Sequence, residues 1–313
     1  MATALLRRLA GLVVTLALAS GVIFAVLEIL PGDPARAMLG TNATVEAVEA
    51  LRERLGLNEP ALVRYLDWIT GMVGGELGAS LTYGSNVGSL IAERAVVSLP
   101  LAVAALALTV LIAVPVGVAA AARRGGATDT AVMTLTQLGI AIPNFWLAIL
   151  LVYLFAVTLR LVPSGGFPGW DDPMGAVKTL ILPAVALAVP QAAILARVTR
   201  SAVVEALGSD FIRTARAKGA GPRRVLWHHA LRNAALPVIT ITGLQFAFLL
   251  SGVVIIEQVF SLPGLGRLAF QAIVQGDLPV VRGVVMVLVA AVIVTNFAVD
   301  LAYVAVDPRL RNA

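Results

Sequence analysis

The chain has 313 residues, of which 59% are hydrophobic and only 13% are charged, and its formal net charge is +5. About a quarter of the residues of an ordinary soluble protein are charged, so this composition indicates a polytopic membrane protein. The sequence contains no cysteine, which excludes disulfides and thiolate chemistry, and His228 and His229 have no further His or Cys to complete a metal site.

Six hydrophobic runs are long enough to cross about 30 Å of hydrocarbon as helices. They cover residues 9–30, 99–122, 135–157, 179–195, 236–256 and 283–306. Arg7 and Arg8 precede the first run as they would in a signal peptide, but a signal's hydrophobic region has about 7 to 15 residues, so the longer run favours an uncleaved span. The expected fold class is an all-α integral membrane protein with six transmembrane helices.

The distribution of cations predicts the orientation of these spans. With the N-terminus in the cytoplasm, fourteen of the 23 lysines and arginines fall in inside segments, together with four acids. The positive-inside rule therefore places both termini in the cytoplasm, and it explains the basic composition without nucleic acid as a partner. The first predicted part, 1–30, is the N-terminus with the first span, and the second, 31–97, is an extracytoplasmic segment. The third, 98–306, is a transmembrane core with a cytoplasmic loop at 200–236, and the last, 307–313, is a cytoplasmic tail.

The extracytoplasmic segment is too long for a turn and is expected to contain two helices. The first has Thr44 as its cap, Gly56 as its stop and apolar residues at helical spacing between them, namely Val45, Val48, Leu51 and Leu55. Pro60 opens the second, which continues to about Met72. These helices either cap the outer mouth of a pathway or rest on the bilayer interface through Tyr65 and Trp68.

A polar island at residues 209–219 reads as a short docking helix. Ser209 or Asp210 can cap its first N–H groups, Gly219 can take a left-handed conformation after the last turn, and Pro222 forbids continuation. Its apolar side is too small to span a bilayer and comprises Phe211, Ile212 and Ala215, whereas its cations and those just beyond it are Arg213, Arg216, Lys218, Arg223 and Arg224. Such a helix needs a partner surface.

Few polar groups lie within the predicted spans. Four amides either line a translocation path or bridge helices, which are Gln137, Asn144, Gln191 and Gln245. Asp300 is the one acid near the middle of a span, and it is either a proton relay or a helix-packing residue near the inner interface. Glu257 is expected at a solvated outer end.

The sequence contains no phosphate-binding glycine loop and no plausible nucleophile and base pair, so the chain is not expected to be an enzyme. The sequence therefore indicates a transmembrane pathway whose energy source does not lie in this chain. Two alternatives remain: an ion-coupled secondary transporter that uses Asp300, and a membrane scaffold or sensor that recruits a cytoplasmic protein without moving solute.

Several dispersed motifs resemble those of the inner-membrane permease subunits of ABC importers in the dipeptide, oligopeptide and nickel family. Leu-Pro-Gly-Asp-Pro occupies 30–34, Gly-Glu-Leu-Gly-Ala-Ser 75–80, and Gly-Ile-Ala-Ile-Pro-Asn-Phe-Trp 139–146. Ile-Arg-Thr-Ala-Arg-Ala-Lys-Gly at 212–219 is similar to that family's cytoplasmic EAA loop, although the literal Glu-Ala-Ala opening is absent. Asp-Pro-Arg at 307–309 closes the series.

The resemblance implies that the loop from 205 to 237 contains the coupling helix that sits in a groove of a cytoplasmic ATPase. The implied coupling residues are Glu205, Asp210, Phe211, Ile212, Arg213, Thr214, Ala215, Arg216, Ala217, Lys218 and Gly219. It further implies the B-type first permease of a peptide importer in a bacterial inner membrane. The implied partners are a second homologous permease in a heterodimer, two ATPase subunits that hold ATP and Mg, and an extracytoplasmic substrate-binding protein. The resemblance leaves the substrate open among dipeptides, longer peptides, peptide-like opines, glutathione and nickel complexes.

Overall fold

The computed structural model describes residues 2–29, 33–40 and 43–306. Within them, every secondary-structure element longer than a single bridge is a helix. The predicted all-α fold is confirmed for these residues. The predicted tail at 307–313, with its Asp-Pro-Arg motif, and the first three residues of the Leu-Pro-Gly-Asp-Pro motif lie outside the described residues. Within them, Ala79 and Asn86 form an isolated antiparallel bridge.

Thirteen numbered helices and two π-helical segments follow one another along the described chain. The first five are α1 Ala2–Ile29, α2 Pro34–Leu39, α3 Val45–Arg54, α4 Ala61–Val73 and α5 Val87–Ala122. The next group is α6 Ala127–Ala141, α7 Asn144–Leu151, π1 Val152–Thr158, α8 Pro173–Leu207 and α9 Asp210–Ala217. The last group is α10 Pro222–Arg224, π2 Val225–Ala230, α11 Leu231–Val259, α12 Leu265–Gln275 and α13 Leu278–Val306.

Five stretches are long and apolar enough to cross a membrane as continuous helices. They are Arg8–Ile29, Val87–Ala122, Pro173–Leu207, Pro222–Val259 and Leu278–Tyr303. Five of the six predicted spans fall within them, apart from one residue at the end of the first span and three at the end of the last. The fourth, the shortest by sequence, lies in the 35-residue helix α8, which continues through Pro183 and Pro190.

The third predicted span, residues 135–157, is not one continuous helix. It is divided between α6 and α7, whose axes differ by 96°. Ile142 between them has an extended backbone, with φ −82° and ψ 119°. This follows from Pro143, because a proline disfavours the helical conformation of the residue before it. The predicted third span is therefore a bent helix pair in the structure, interrupted at Pro143.

The chain forms two compact units, which are described separately. Among the described residues, the N-terminal unit comprises Ala2–Ser98 and Pro263–Val294, and the core unit comprises Leu99–Leu262 and Thr295–Val306.

The N-terminal unit contains the two helices predicted for segment 31–97. The Thr44 hydroxyl caps α3 by accepting a hydrogen bond of 3.3 Å from the Ala47 N–H, and Gly56 ends the helix region at φ 67°. The helix α4 begins directly after Pro60. Both helices therefore occur where the sequence predicted them.

Helix α4 packs on α1 through aromatic side chains. The Phe24 ring lies 5.4 Å from that of Tyr65 and 6.3 Å from that of Trp68, between ring centroids. The Tyr65 hydroxyl is 3.0 Å from that of Ser20, and Arg64 forms an ion pair with Glu28. The two rings that the sequence offered as membrane anchors are thus engaged by protein in this unit.

The core unit is built around α8, which has more buried residues than any other described helix. Glycines allow its neighbours to approach closely, as in membrane helix packing generally. A methyl group on Gly117 of α5 would lie 2.6 Å from the Ala196 carbonyl oxygen, and one on Gly139 of α6 would lie 3.0 Å from the Ala193 Cβ. These glycines therefore let α5 and α6 lie close against α8.

Candidate functional site

The predicted docking helix is present as α9, which spans eight residues. Ser209 occupies the N-cap position with an extended backbone, but its side chain makes no cap hydrogen bond and its hydroxyl instead donates to the Glu205 carbonyl at 3.4 Å. Asp210 accepts from Arg213 at 3.4 Å in an exposed pair. The prediction that one of these side chains caps the helix was therefore wrong.

The C-terminal end of α9 agrees with the sequence prediction. Gly219 has φ 82°. Its N–H donates to the Arg216 carbonyl at 2.9 Å, and the Ala220 N–H donates to the Ala215 carbonyl at 3.1 Å. This pair of bonds is a Schellman motif, which satisfies carbonyls that the helix would otherwise leave free. The left-handed residue therefore turns the chain sharply toward α10.

One side of α9 is buried in its own chain. Ile212 is fully buried and Ala215 is 9% exposed. Ile212 belongs to a cluster at the ends of α5 and α8 and the start of the π2–α11 helix, here called the loop cluster: Val118, Ala121, Val203, Ala206, Ile212, Val225, Ala230 and Ala234. Through this cluster α9 packs against three long helices, α5, α8 and π2–α11.

The other side of α9 is exposed. Phe211 is 39% exposed, so the apolar side predicted from the sequence is divided between one exposed and two buried residues. The remaining exposed residues are mostly polar or basic, and they are Arg213, Thr214, Arg216, Ala217, Lys218 and Gly219, with Asp210 and Glu205 exposed nearby. The result is a basic surface with one aromatic side chain, held in place from behind.

The pathway candidates of the core unit differ in burial and in hydrogen-bond partners. Gln245 is 2% exposed, and its amide donates to the Gln191 backbone carbonyl at 2.8 Å, so it bridges α11 and α8. Gln137 is exposed and accepts from Arg197 at 2.8 Å. Asn144 is half-buried and accepts from the N–H of the next residue at 2.9 Å, while Asp300 is half-buried in α13.

Two buried acids do not behave as the sequence suggested. Glu257 is fully buried, so the expectation of a solvated outer position was wrong. Asp129 is 4% exposed and accepts two hydrogen bonds from Arg200, at 2.5 and 2.7 Å, and one from the Gly125 N–H at 2.9 Å. Asp129 is one of the four acids that lie in the predicted inside segments. The separation of 71 positions between the two partners left no local signal.

The described residues contain no group of three or more His, Cys, Asp or Glu side chains that could hold a metal ion. The rings of His228 and His229 in π2 meet edge to face, 5.5 Å apart.

The chain is similar in sequence to named proteins of several bacteria. The chain is 43% identical over 312 residues to a peptide transport system permease protein of Brucella abortus, with 99% of each chain covered. It is 38% identical over 306 residues to the glutathione transport system permease protein GsiC of Salmonella typhimurium, with 98% of each covered.

The fold also matches a solved structure. An inward-facing conformation of the MetNI methionine ABC transporter contains a chain that matches with a TM-score of 0.55 and 22% identity, over 70% of this chain and 96% of that one. Two family models together cover nearly all of the sequence: the N-terminal part of binding-protein-dependent transport membrane components at residues 1–102, and the inner membrane component itself at 113–312. The chain therefore belongs to the family of binding-protein-dependent transport system inner membrane components.

Proposed function

We propose that this chain forms half of the pathway of an ATP-driven importer for di- and oligopeptides and couples to a cytoplasmic ATPase through residues 205–237. As a member of its family it is a non-catalytic, multi-pass permease subunit of an ABC importer in a bacterial inner membrane. The observation that carries the coupling role is the division of α9 into a buried side, anchored by Ile212, and an exposed basic side that presents Phe211.

This geometry suits the transmission of movement. A helix that only bound a partner could be tethered loosely, whereas α9 is packed against the ends of three long helices through the loop cluster. Packed interfaces shift between discrete arrangements rather than deform continuously, so a displacement of α9 moves those ends with it. The exposed cations can pair with acids on the ATPase, and Phe211 supplies an apolar contact of the kind that anchors interfaces.

The proposed topology counts the bent pair α6 and α7 as one broken span. Six crossings then result, with both termini in the cytoplasm, α9 in the cytoplasm and segment 31–97 outside. The positive-inside rule supports this orientation, because Arg213, Arg216, Lys218, Arg223 and Arg224 all lie in one segment.

The proposed partners follow from the family and from what the chain lacks. A binding-protein-dependent system needs an extracytoplasmic binding protein, and a permease without a nucleotide-binding loop needs ATPase subunits that hold ATP and Mg. We place this chain as the first permease of a heterodimer with two such ATPases. With the energy source in partner chains, Asp300 need not relay protons, and its position one helical turn from Asn296 favours a packing role.

The proposed substrate class is short peptides. Relatives with 40% identity or more over nearly the whole chain carry peptide transport names, and a relative with 38% identity is named for glutathione, which is itself a tripeptide. Both names fit a pathway that accepts a peptide backbone.

The test is to tag this chain, extract it gently from its native membrane and identify stoichiometric partners by mass spectrometry. We expect a second permease and ATPase subunits. Phe211→Ala should lose the ATPases and keep the second permease, whereas Phe270→Ala, at a similarly exposed phenylalanine of α12, should keep both. A chain that purifies alone and moves solute in vesicles without ATP would contradict the proposal.

A further inference from the structure

The ion pair between Asp129 and Arg200 stands apart from the surface pairs of the core unit. Both oxygens of the Asp129 carboxylate accept hydrogen bonds from the guanidinium, at 2.5 and 2.7 Å, and the Gly125 N–H adds a third at 2.9 Å. A bidentate pair of this kind fixes orientation as well as distance. It joins the first turn of α6 and the turn before it to α8.

Arg200 lies close to the point where α9 is attached. Val203 and Ala206, in the turns of α8 that follow Arg200, belong to the loop cluster with Ile212. Only Gly208 and Ser209 separate the end of α8 from α9. A displacement of α9 therefore reaches α8 within two turns of the arginine.

Helix α6 is a short rod of 15 residues that ends at the 96° break before α7. Near that break its contact with α8 is apolar and made by small residues, with Gly139 against Ala193. The Gly139–Ala193 contact contains no directional bond, and the neighbouring hydrogen bond from Arg197 to Gln137 joins exposed side chains, so α6 can turn against α8 at this end. The ion pair lies at the other end of α6, farthest from the bend. A movement of α8 that is transmitted through the pair therefore turns α6 about its junction with α7.

We propose that Asp129 and Arg200 are positioning residues that carry the movement of α9 and α8 into α6, so that α6 turns about its junction with α7 during transport. This inference rests on the proposed coupling of α9 to an ATPase. The pair makes the end of α6 a part of the coupling apparatus, in addition to the loop itself.

A neighbouring pair provides a matched control. Arg197, one turn earlier on α8, donates to the Gln137 amide of α6 at 2.8 Å, but both side chains are exposed. Exposed pairs contribute little because water competes for their partners. Arg197→Gln should therefore leave the movement of α6 unchanged.

The experiment uses the absence of native cysteine. Single cysteines are introduced as Thr134→Cys on α6 or Ser201→Cys on α8, both exposed positions, in the complex of this chain with its co-purifying ATPases. The rate of maleimide labelling is compared without nucleotide and after trapping with Mg-ATP and vanadate. In the unaltered complex both rates should change, by about fivefold or more.

With Asp129→Asn, we expect the response at position 201 to persist and the response at position 134 to fall to less than about twofold, while Arg197→Gln keeps both. Retention of both responses in Asp129→Asn would overturn the inference and leave the proposed function standing. Loss of both responses in the unaltered complex would overturn the proposed function itself.

A second variant covers the case in which Asp129→Asn does not assemble. Arg200→Lys keeps the charge but replaces the two-pronged guanidinium by a single ammonium group. It should assemble and show a weakened response at position 134 alone. An Arg200→Lys complex with both responses at their original size would contradict the inference as well.

Discussion

In the N-terminal unit, the Ser80 hydroxyl donates a hydrogen bond of 2.5 Å to the carboxylate of Asp277, a residue 197 positions later. The same carboxylate accepts from the N–H groups of Leu81 and Thr82, at 3.2 and 3.1 Å, and from that of Val280 at 3.4 Å. Asp277 is fully buried. One acid therefore caps the start of α13 and holds the loop that precedes α5.

Replacing Asp277 by alanine should destabilise this unit. The substitution leaves buried donors without partners, and each such group costs about 1–3 kcal/mol. We expect a lower melting temperature in detergent and easier proteolysis within residues 80–86. Asp67→Ala, at an exposed acid of α4, is the matched control and should leave both properties unchanged. A melting temperature that stays the same in both variants would contradict the structural role of Asp277.

Gly219→Val should uncouple transport while leaving membrane insertion intact. No atom lies within 4 Å of the position where a Cβ would be, so the cost comes from the backbone, which has φ 82°. A non-glycine residue pays about 1–2 kcal/mol in this conformation. The Schellman turn should then open and alter how α9 is presented. The measurement is uptake per ATP hydrolysed in reconstituted vesicles, beside the yield of inserted protein.

Two further variants separate backbone strain from size at this turn. Asparagine tolerates the left-handed conformation, so Gly219→Asn should retain most coupling. Gly221→Val adds the same side chain two residues later, where φ is −68° and no atom lies within 4 Å of a Cβ. It should behave like the unaltered chain. Equal losses in Gly219→Val and Gly221→Val would show that bulk, rather than conformation, matters in this loop.

The features that the sequence predicted correctly are those determined by a few consecutive residues. Thr44 caps α3, and Gly219 ends α9, because caps and left-handed glycines depend on local backbone geometry. The pairs Ser80 with Asp277 and Asp129 with Arg200 bridge 197 and 71 positions, and no local pattern marks which partners meet.

The division of α9 into two sides shows where local pattern ends. Helical spacing places Phe211, Ile212 and Ala215 along one stripe, which the sequence presented as a single apolar side. In the structure Ile212 is buried in the loop cluster, whereas Phe211 is exposed. Which residue of a stripe is buried depends on the other helices that surround it, and those are set by tertiary packing.

Ile212→Ala should weaken the attachment of α9 without removing its exposed surface. Truncation of a fully buried isoleucine costs about 2–5 kcal/mol, depending on how far the site collapses. We expect faster hydrogen exchange in α9 and a reduced ratio of uptake to ATP hydrolysis. Ile212→Val, which removes one methyl group, should show the same changes at a smaller size. If ATPase binding were lost entirely in Ile212→Val, the residue would be a contact of the partner instead of an anchor.

Gly117→Ala should destabilise the core unit although it adds only a methyl group. That methyl would lie 2.6 Å from the Ala196 carbonyl oxygen and 2.7 Å from the Thr199 Cβ, so α5 and α8 must separate. Overpacking of this kind costs about 1–3 kcal/mol. Gly11→Ala is the matched control, because no atom lies within 4 Å of a Cβ there and alanine favours the helix α1. The melting temperature in detergent should fall for Gly117→Ala and hold or rise for Gly11→Ala, and the opposite order would show that α5 and α8 are not packed through Gly117.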